Sequence, residues 1–100
     1  MKPRYILSPE AASDLFEIWQ YVRDQSSVET ADRVESVIRE KFLLLAKTPH
    51  AGHVRNDLTD RDVRFFPVYS YLIVYRSEPK PVQIVAILHG HRDIKKALDR

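Results

Sequence analysis

The polar segment His89-Gly90-His91-Arg92-Asp93 contains the residues of this chain whose types and spacing are best suited to chemistry. A histidine can exchange a proton near neutral pH, and an arginine can bind an anionic oxygen. The segment directly follows an apolar run, Val82–Leu88, that is typical of a buried strand. Three interpretations are therefore open: an active site, a binding surface, or the polar end of a strand beside a helix cap.

The composition is that of one small globular domain. The chain has 100 residues, of which 44% are hydrophobic and 30% charged, and it contains no cysteine. A cysteine-free core fits a reducing compartment and excludes zinc–thiolate sites and thiol nucleophiles. The formal net charge is +2, which permits an anionic partner without requiring one. Because no apolar stretch is long enough to span a bilayer and no signal-peptide pattern is present, we expect a cytoplasmic protein without a membrane partner.

Two helices are predicted in the first half of the chain. Ser8-Pro9-Glu10 is a strong helix start, and apolar residues at helical spacing extend this helix over about residues 9–24. Asp14 falls largely on its polar side. Ser26 with Glu29 matches a capping box, and a second amphipathic pattern predicts a helix over about residues 28–47. Only a few residues separate the helices, so we expect an antiparallel helical hairpin.

The remaining elements are strands and one short helix. Alternating apolar residues and turn signals define them. The fold class is therefore α+β, with the helical hairpin on one face of a mainly antiparallel sheet in the order β-α-α-β-β-β. The predicted strands are Arg4–Leu7, Val63–Val68, Tyr71–Arg76 and Val82–Leu88, and the helix covers about Asp93–Asp99 with Asp93 as its cap.

Both faces of the last two strands are substantially apolar. Two helices can cover only one face, so either a partner chain or the C-terminal segment must cover part of the other. The pattern leaves both possibilities open. By simple alternation, Tyr71, Ile73 and Tyr75 oppose Leu72, Val74 and Arg76, while Val82, Ile84, Ala86 and Leu88 oppose Gln83, Val85, Ile87 and His89.

Four segments that cover nearly the whole chain carry a family resemblance. They are LSPEAASDLFEIWQYV, LLLAKTPHAGHVRND, VRFFPVYSYLIVYR and VQIVAILHGHRDIKKAL. In this order they resemble the ParE branch of the ParE/RelE toxin superfamily, the toxin halves of bacterial type II toxin–antitoxin modules. The element order predicted from periodicity agrees with the fold of that family.

The resemblance implies one of two activities. RelE-like members are ribosome-dependent mRNA endonucleases, whose reaction needs a base for the 2′-OH, cations for the phosphate and an acid for the leaving oxygen. ParE-like members instead act on DNA gyrase. The ending HGHRD looks like a ParE ending, so we favour a toxin that inhibits gyrase by binding, without catalytic residues. An mRNA endonuclease and an inactive antitoxin-binding domain remain the alternatives.

The resemblance also implies an acidic, partly disordered ParD-like antitoxin in a module of the plasmid-stabilisation kind. Such an antitoxin folds on the toxin with a helix and an extended segment, and DNA is contacted only through it. The candidates for antitoxin contact are Trp19, Tyr21, Arg23, Arg55 and Tyr75. The candidates for target contact are His89, His91, Arg92, Asp93, Arg76 and Arg64.

Each of these residues also has a structural interpretation. Trp19 could be a core residue, and Arg92 with Asp93 could form a surface ion pair beside a helix cap. The pairs His50-x-x-His53 and His89-x-His91 lack a carboxylate or cysteine at clear ligand spacing. We therefore expect neither a metal nor a cofactor.

Overall fold

The computed structural model describes residues 4–90 and 94–98 of the chain. The α+β order predicted from the sequence is confirmed, and each described boundary lies within one residue of its predicted place. The strands are β1 (Tyr5–Leu7), β2 (Arg64–Val68), β3 (Tyr71–Arg76) and β4 (Val82–His89), and the helices are α1 (Pro9–Gln25), α2 (Val28–Lys47) and α3 (Ile94–Leu98).

Serine hydroxyls cap the two long helices. The Oγ of Ser8 accepts the backbone N–H of Ala11 at 3.0 Å, as the sequence predicts. The cap of α2 is Ser27, whose Oγ accepts the N–H of Thr30 at 3.1 Å. The prediction of Ser26 was wrong by one residue, because Ser26 still belongs to the end of α1 and donates its backbone N–H to the Val22 carbonyl.

The four strands form one sheet in the order β1-β4-β3-β2. β1 pairs in parallel with β4, and the other pairs are antiparallel. The hairpin of α1 and α2 covers one face of this sheet and buries the larger core cluster there. Its buried members are Ala11, Leu15, Ile18, Ile38, Phe42, Leu45, Val68, Ile73, Tyr75, Val82, Ile84 and Ile87.

A one-residue bulge in β4 reverses the alternation of its side chains. Val74 lies opposite Ala86, and the next residue of β3 lies opposite Ile84, so Val85 is an extra residue in β4. Ile84 and Ile87 therefore both face the helical hairpin, whereas Ala86 belongs to the other face. The prediction that Val82, Ile84, Ala86 and Leu88 share one face was wrong from Ala86 onward, because a shift of one residue moves every later side chain to the opposite face.

The second face of the sheet is covered by the chain itself. Ile94 and Leu98 of α3 pack on this face and are buried. A guanidinium N–H of Arg61 donates to the Leu98 carbonyl at 2.9 Å and ties the preceding loop to α3. Of the two possible covers, the C-terminal segment is therefore the one found. The buried cluster consists of Val63, Phe65, Val74, Ala86, Leu88, Ile94 and Leu98.

The two edges of the sheet are short or blocked. β1 has three residues, and on β2 the backbone of Phe65 exchanges two hydrogen bonds with His53, at 2.8 and 2.9 Å. Pro67, two residues further along β2, is exposed and has no N–H to donate. Within the described ranges, no helix has both the length and the apolar character needed to cross a bilayer.

Candidate functional site

Trp19 lies half-buried between the two long helices and is held from three sides. Its indole N–H donates to Oδ1 of Asp32 on α2 at 2.8 Å. The ring of Phe16 stacks on it with centroids 6.4 Å apart, and the guanidinium carbon of Arg23 lies 5.3 Å from its centroid. The structure thus brings together Trp19 and Arg23, two of the candidates for antitoxin contact, and it fixes the indole at the surface of the hairpin.

Beside Trp19 runs an open groove of about 380 Å³, which we call the hairpin groove. Phe16 stands on its edge with 59% of its surface exposed. Sequence reasoning missed this residue, although its spacing of three from Trp19 places both on the same face of α1. An ion pair between Arg39 and Glu35 closes the α2 side. The groove is lined by Leu7, Ala12, Leu15, Phe16, Trp19, Asp32, Glu35 and Arg39.

A second opening of about 290 Å³, which we call the aromatic cleft, lies where α1 meets the ends of β3 and β4. The rings of Tyr71 and His89 meet edge to face there, with centroids 5.5 Å apart. Burial raises the pKa of Tyr71, and the neighbouring Tyr21 hydroxyl raises it further. The cleft is lined by Asp14, Glu17, Ile18, Tyr21, Tyr71, Ile87, Leu88 and His89.

Tyr21 therefore separates from the other candidates for antitoxin contact. It is 60% exposed, but it lines the aromatic cleft and not the hairpin groove that contains Trp19. Arg55 lies in the loop after α2, where it forms a bidentate pair with Asp57 at 2.9 and 2.7 Å. The hydrogen bond from Arg55 lowers the pKa of the Asp57 carboxyl. Neither Tyr21 nor Arg55 lines the groove that contains Trp19.

Tyr75 cannot serve as a contact residue because its side chain is completely buried, with 0% exposure. Its hydroxyl accepts the N–H of Gly52 and donates to the Pro49 carbonyl, each at 2.8 Å. Burial raises the pKa of this phenol. The prediction of antitoxin contact is corrected accordingly: Tyr75 fastens the loop that follows α2 to the sheet.

Among the described candidates for target contact, His89 lies apart from Arg64 and Arg76. Arg64 of β2 is aligned with Tyr75 of β3, and Arg76 is the last residue of β3. His89 of β4 is instead aligned with Tyr71, the first residue of β3. Five residues of strand correspond to about 17 Å. His89 and the two arginines therefore lie at opposite ends of the sheet, and Arg64 is engaged with the Gly52 carbonyl at 3.0 Å. His91, Arg92 and Asp93 lie outside the described residues.

A buried carboxylate supports the floor of the aromatic cleft. Asp14 is only 7% exposed, and its Oδ2 accepts the backbone N–H of Ile87 at 3.0 Å. We expected Asp14 on the polar side of α1, which was wrong, because its side chain faces β4. It meets β4 at Ile87, beyond Ile84, the last residue of β4 that pairs with β1. The Oγ of Ser8 likewise donates to the Val85 carbonyl at 2.8 Å. The cap residue Ser8 and Asp14, in the second turn of α1, thus bond to β4 backbone groups beyond the part of β4 that pairs with the short β1.

Comparison with known proteins agrees with this architecture. The model of the ParE toxin family, described as the ParE toxin of the type II toxin–antitoxin system parDE, matches residues 5–94. Toxin ParE1 of Mycobacterium tuberculosis, in strains CDC 1551 / Oshkosh and H37Rv, is 26% identical over 99 residues, which are 98% of this chain and 100% of the relative.

A solved structure described as the chromosomal ParDE TA system from P. aeruginosa has the same fold. It superposes with a TM-score of 0.73 at 22% identity and covers 85% of this chain and 92% of its own. The family match extends from the first strand to the start of α3 and therefore includes both long helices and the complete sheet. This chain belongs to the ParE toxin family of type II toxin–antitoxin systems.

Proposed function

We propose that this ParE toxin inhibits DNA gyrase by binding to it, and that it does so in the cytoplasm without cleaving RNA. Cleavage of RNA would need an acid or base close to cations that hold the phosphate. Among the residues that the structure describes, the separation of His89 from Arg64 and Arg76, by nearly the length of β3, supports binding over cleavage. This separation is the observation on which the proposal rests, together with membership of the ParE family.

A ParD-like antitoxin is the proposed neutralising partner, and the hairpin groove is its proposed docking site. An amphipathic helix can lie in a groove between two helices and insert apolar side chains at helical spacing. Phe16 and Trp19 offer such a helix a stacked aromatic surface in a fixed position. The net charge of +2 complements an acidic partner. DNA would be contacted only by the antitoxin.

Two assays on the purified chain separate inhibition from cleavage. We expect the chain to inhibit supercoiling of relaxed plasmid by gyrase, and to leave translated mRNA intact when cut sites are mapped by primer extension. The double variant Arg64→Ala with Arg76→Ala should retain the inhibition, because these arginines lie at the other end of the sheet from His89. Codon-positioned cuts with normal supercoiling would replace the proposal with an mRNA endonuclease.

The antitoxin part is tested by co-expression with the neighbouring reading frame. We expect a stable complex by size-exclusion chromatography and suppression of growth arrest when both genes are expressed. Recovery of the chain as a free monomer in the presence of a folded partner would contradict this part. Because the two assays use different partners, failure of one leaves the other result intact.

A further inference from the structure

The hairpin between β2 and β3 carries an aromatic residue in an unfavourable backbone conformation. Tyr69 has φ of 54°, in the left-handed region, and among the described residues it is the only non-glycine residue with positive φ. Such positions in two-residue hairpin loops favour glycine, asparagine or aspartate, because a Cβ atom with a bulky substituent crowds the backbone. A tyrosine there works against the stability of the turn.

The side chain of Tyr69 gains no burial in return. It is 57% exposed, which makes it one of the most exposed large apolar residues of the described chain. A residue whose conformation is unfavourable and whose side chain is mainly in solvent is not explained by folding. Unfavourable backbone conformations that the surrounding structure maintains cluster at functional sites, so the observation leads from Tyr69 to a role outside the fold.

The turn that holds Tyr69 is braced by the end of β4. Tyr69 and Ser70 connect the aligned pair Val68 and Tyr71, and the N–H of Gly90 donates to the Ser70 carbonyl at 2.8 Å. A Cβ atom at Gly90 would lie 3.1 Å from that carbonyl oxygen, so glycine permits the close approach. The phenol of Tyr69 is therefore presented from a fixed backbone, which reduces the entropy lost when a partner binds it.

Tyr69 lies at the same end of the sheet as the aromatic residues of the cleft. Tyr71, two residues later, lines the aromatic cleft with Tyr21 and His89, and Tyr21 is exposed as well. Two exposed tyrosines thus flank the end of the sheet where the cleft opens. Exposed tyrosines on rigid supports are frequent among the residues that dominate the affinity of protein interfaces.

The described lining of the aromatic cleft suits a protein more than a nucleic acid. Among the described residues, no lysine or arginine lines the aromatic cleft, while Asp14 and Glu17 place carboxylates there. Nucleic-acid binding relies on lysine and arginine contacts to phosphate. An exposed phenol next to a cleft of apolar residues, a histidine and carboxylates instead suits an interface with an apolar centre and a polar rim, as found between folded proteins.

We propose that Tyr69 is the anchor by which this toxin binds its protein target, inserted into an apolar pocket of that target from the rigid β2–β3 turn. The inference rests on the proposed function, since it assigns the contact residue for the inhibited protein. It places the target at the end of the sheet and leaves the hairpin groove to the antitoxin. Toxicity and neutralisation then depend on different residues.

The test uses a substitution that should favour the fold while it removes the anchor. Tyr69→Asn places a residue suited to positive φ in the turn, so we expect a melting temperature equal to or above that of the wild type. Loss of an interface anchor weakens binding by about 30-fold or more, so growth arrest at equal protein level and inhibition of supercoiling should both fall by that order. Antitoxin binding should be unchanged.

Tyr69→Gly provides a second variant with the same expectation, and Val54→Asn is the matched control. Val54 is 54% exposed and lies in the loop after α2, next to His53, which bridges to Phe65 near the start of β2. Its variant should therefore remain fully toxic. Full toxicity of both Tyr69 variants would overturn the proposal, and so would a melting temperature several degrees below the wild type in both.

The same series separates this inference from the gyrase assignment. If the wild-type chain arrests growth without inhibiting supercoiling, gyrase is the wrong target, and the loss of growth arrest in Tyr69→Asn still decides whether Tyr69 is the anchor. A wild-type chain that neither arrests growth nor inhibits supercoiling overturns both.

Discussion

Tyr75 shows how one hydroxyl can organise a long loop. The residues between α2 and β2 contain few large apolar side chains, and they reach the sheet through Gly52, which packs against Tyr75. A Cβ atom at Gly52 would lie 2.5 Å from the Tyr75 hydroxyl oxygen and 2.9 Å from the Phe65 carbonyl oxygen. Glycine is therefore required here for close approach, and the hydroxyl can receive the Gly52 N–H.

The substitution Tyr75→Phe tests this attachment at the residue scale. It leaves the buried Gly52 N–H and the Pro49 carbonyl without their partner, so we expect the free energy of unfolding to fall by about 1–3 kcal/mol. Chemical denaturation measures the change. Tyr69→Phe removes an exposed hydroxyl and should alter stability by less than about 0.5 kcal/mol. Equal stability of the two variants would contradict the role assigned to Tyr75.

At the scale of the elements, a single hydroxyl determines where α2 begins. Ser27 has the extended backbone conformation of a helix cap, and its Oγ meets the N–H of Thr30. The Ser26 hydroxyl donates to the Thr30 hydroxyl, at 3.2 Å and in an exposed position, and among the described residues it caps no backbone N–H of α2. The two adjacent serines therefore differ in function although the sequence pattern around them is nearly the same.

We expect Ser27→Ala to lower the free energy of unfolding by about 1 kcal/mol, because it removes the acceptor for a backbone N–H of the first turn. Ser26→Ala is the matched control and should cost less than about 0.5 kcal/mol. Thermal or urea unfolding of both variants gives the comparison. A larger loss from Ser26→Ala would restore the capping box that the sequence suggested.

The elements could be predicted from the sequence where the signal is periodic. α1, α2 and β3 follow from regular spacing of apolar residues and from the proline and serine signals at their ends. The bulge at Val85 could not be predicted, because Val, Ile and Ala are compatible with either face of a covered sheet. The pairing of Asp14 with Ile87 was equally hidden, since it depends on where β1 stops relative to β4.

The candidate site was predicted in part. Trp19 and Arg23 were both named from the sequence as candidates for antitoxin contact, and the structure places them one helical turn apart with the guanidinium over the indole ring. The separation of Arg64 and Arg76 from His89 depends on strand register, which alternation alone does not provide. Tyr75 was misassigned because nothing in its local sequence indicates whether a tyrosine hydroxyl is buried or exposed.

At the scale of the whole molecule, the hairpin groove and the aromatic cleft lie on different sides of α1. Trp19 faces α2, while Ile18 and Tyr21 face the ends of β3 and β4. An antitoxin in the groove and a target at the cleft would therefore contact different residues. Because the two openings share no lining residue, a substitution in one should leave the other unchanged.

Phe16→Ser tests this separation. The side chain is exposed, so the fold should be retained, while loss of the stacked ring should weaken antitoxin binding by about 30-fold. We expect a toxin that still arrests growth but that the antitoxin no longer rescues. Co-expression at graded antitoxin levels measures the escape, with Val54→Ser as a control. Loss of toxicity with normal rescue of the residual activity would place the target on the groove.

The outer edge of β2 bears on whether copies of this chain can pair with one another. Outward-facing backbone positions along a strand recur every second residue, so Phe65 and Pro67 share the open side. His53 already occupies the N–H of Phe65, and proline has none. A strand from another copy would find no donor at either position, and the opposite edge at β1 offers three residues. Edge-to-edge pairing between copies of this chain, the usual route by which an exposed sheet edge leads to aggregation, is therefore disfavoured.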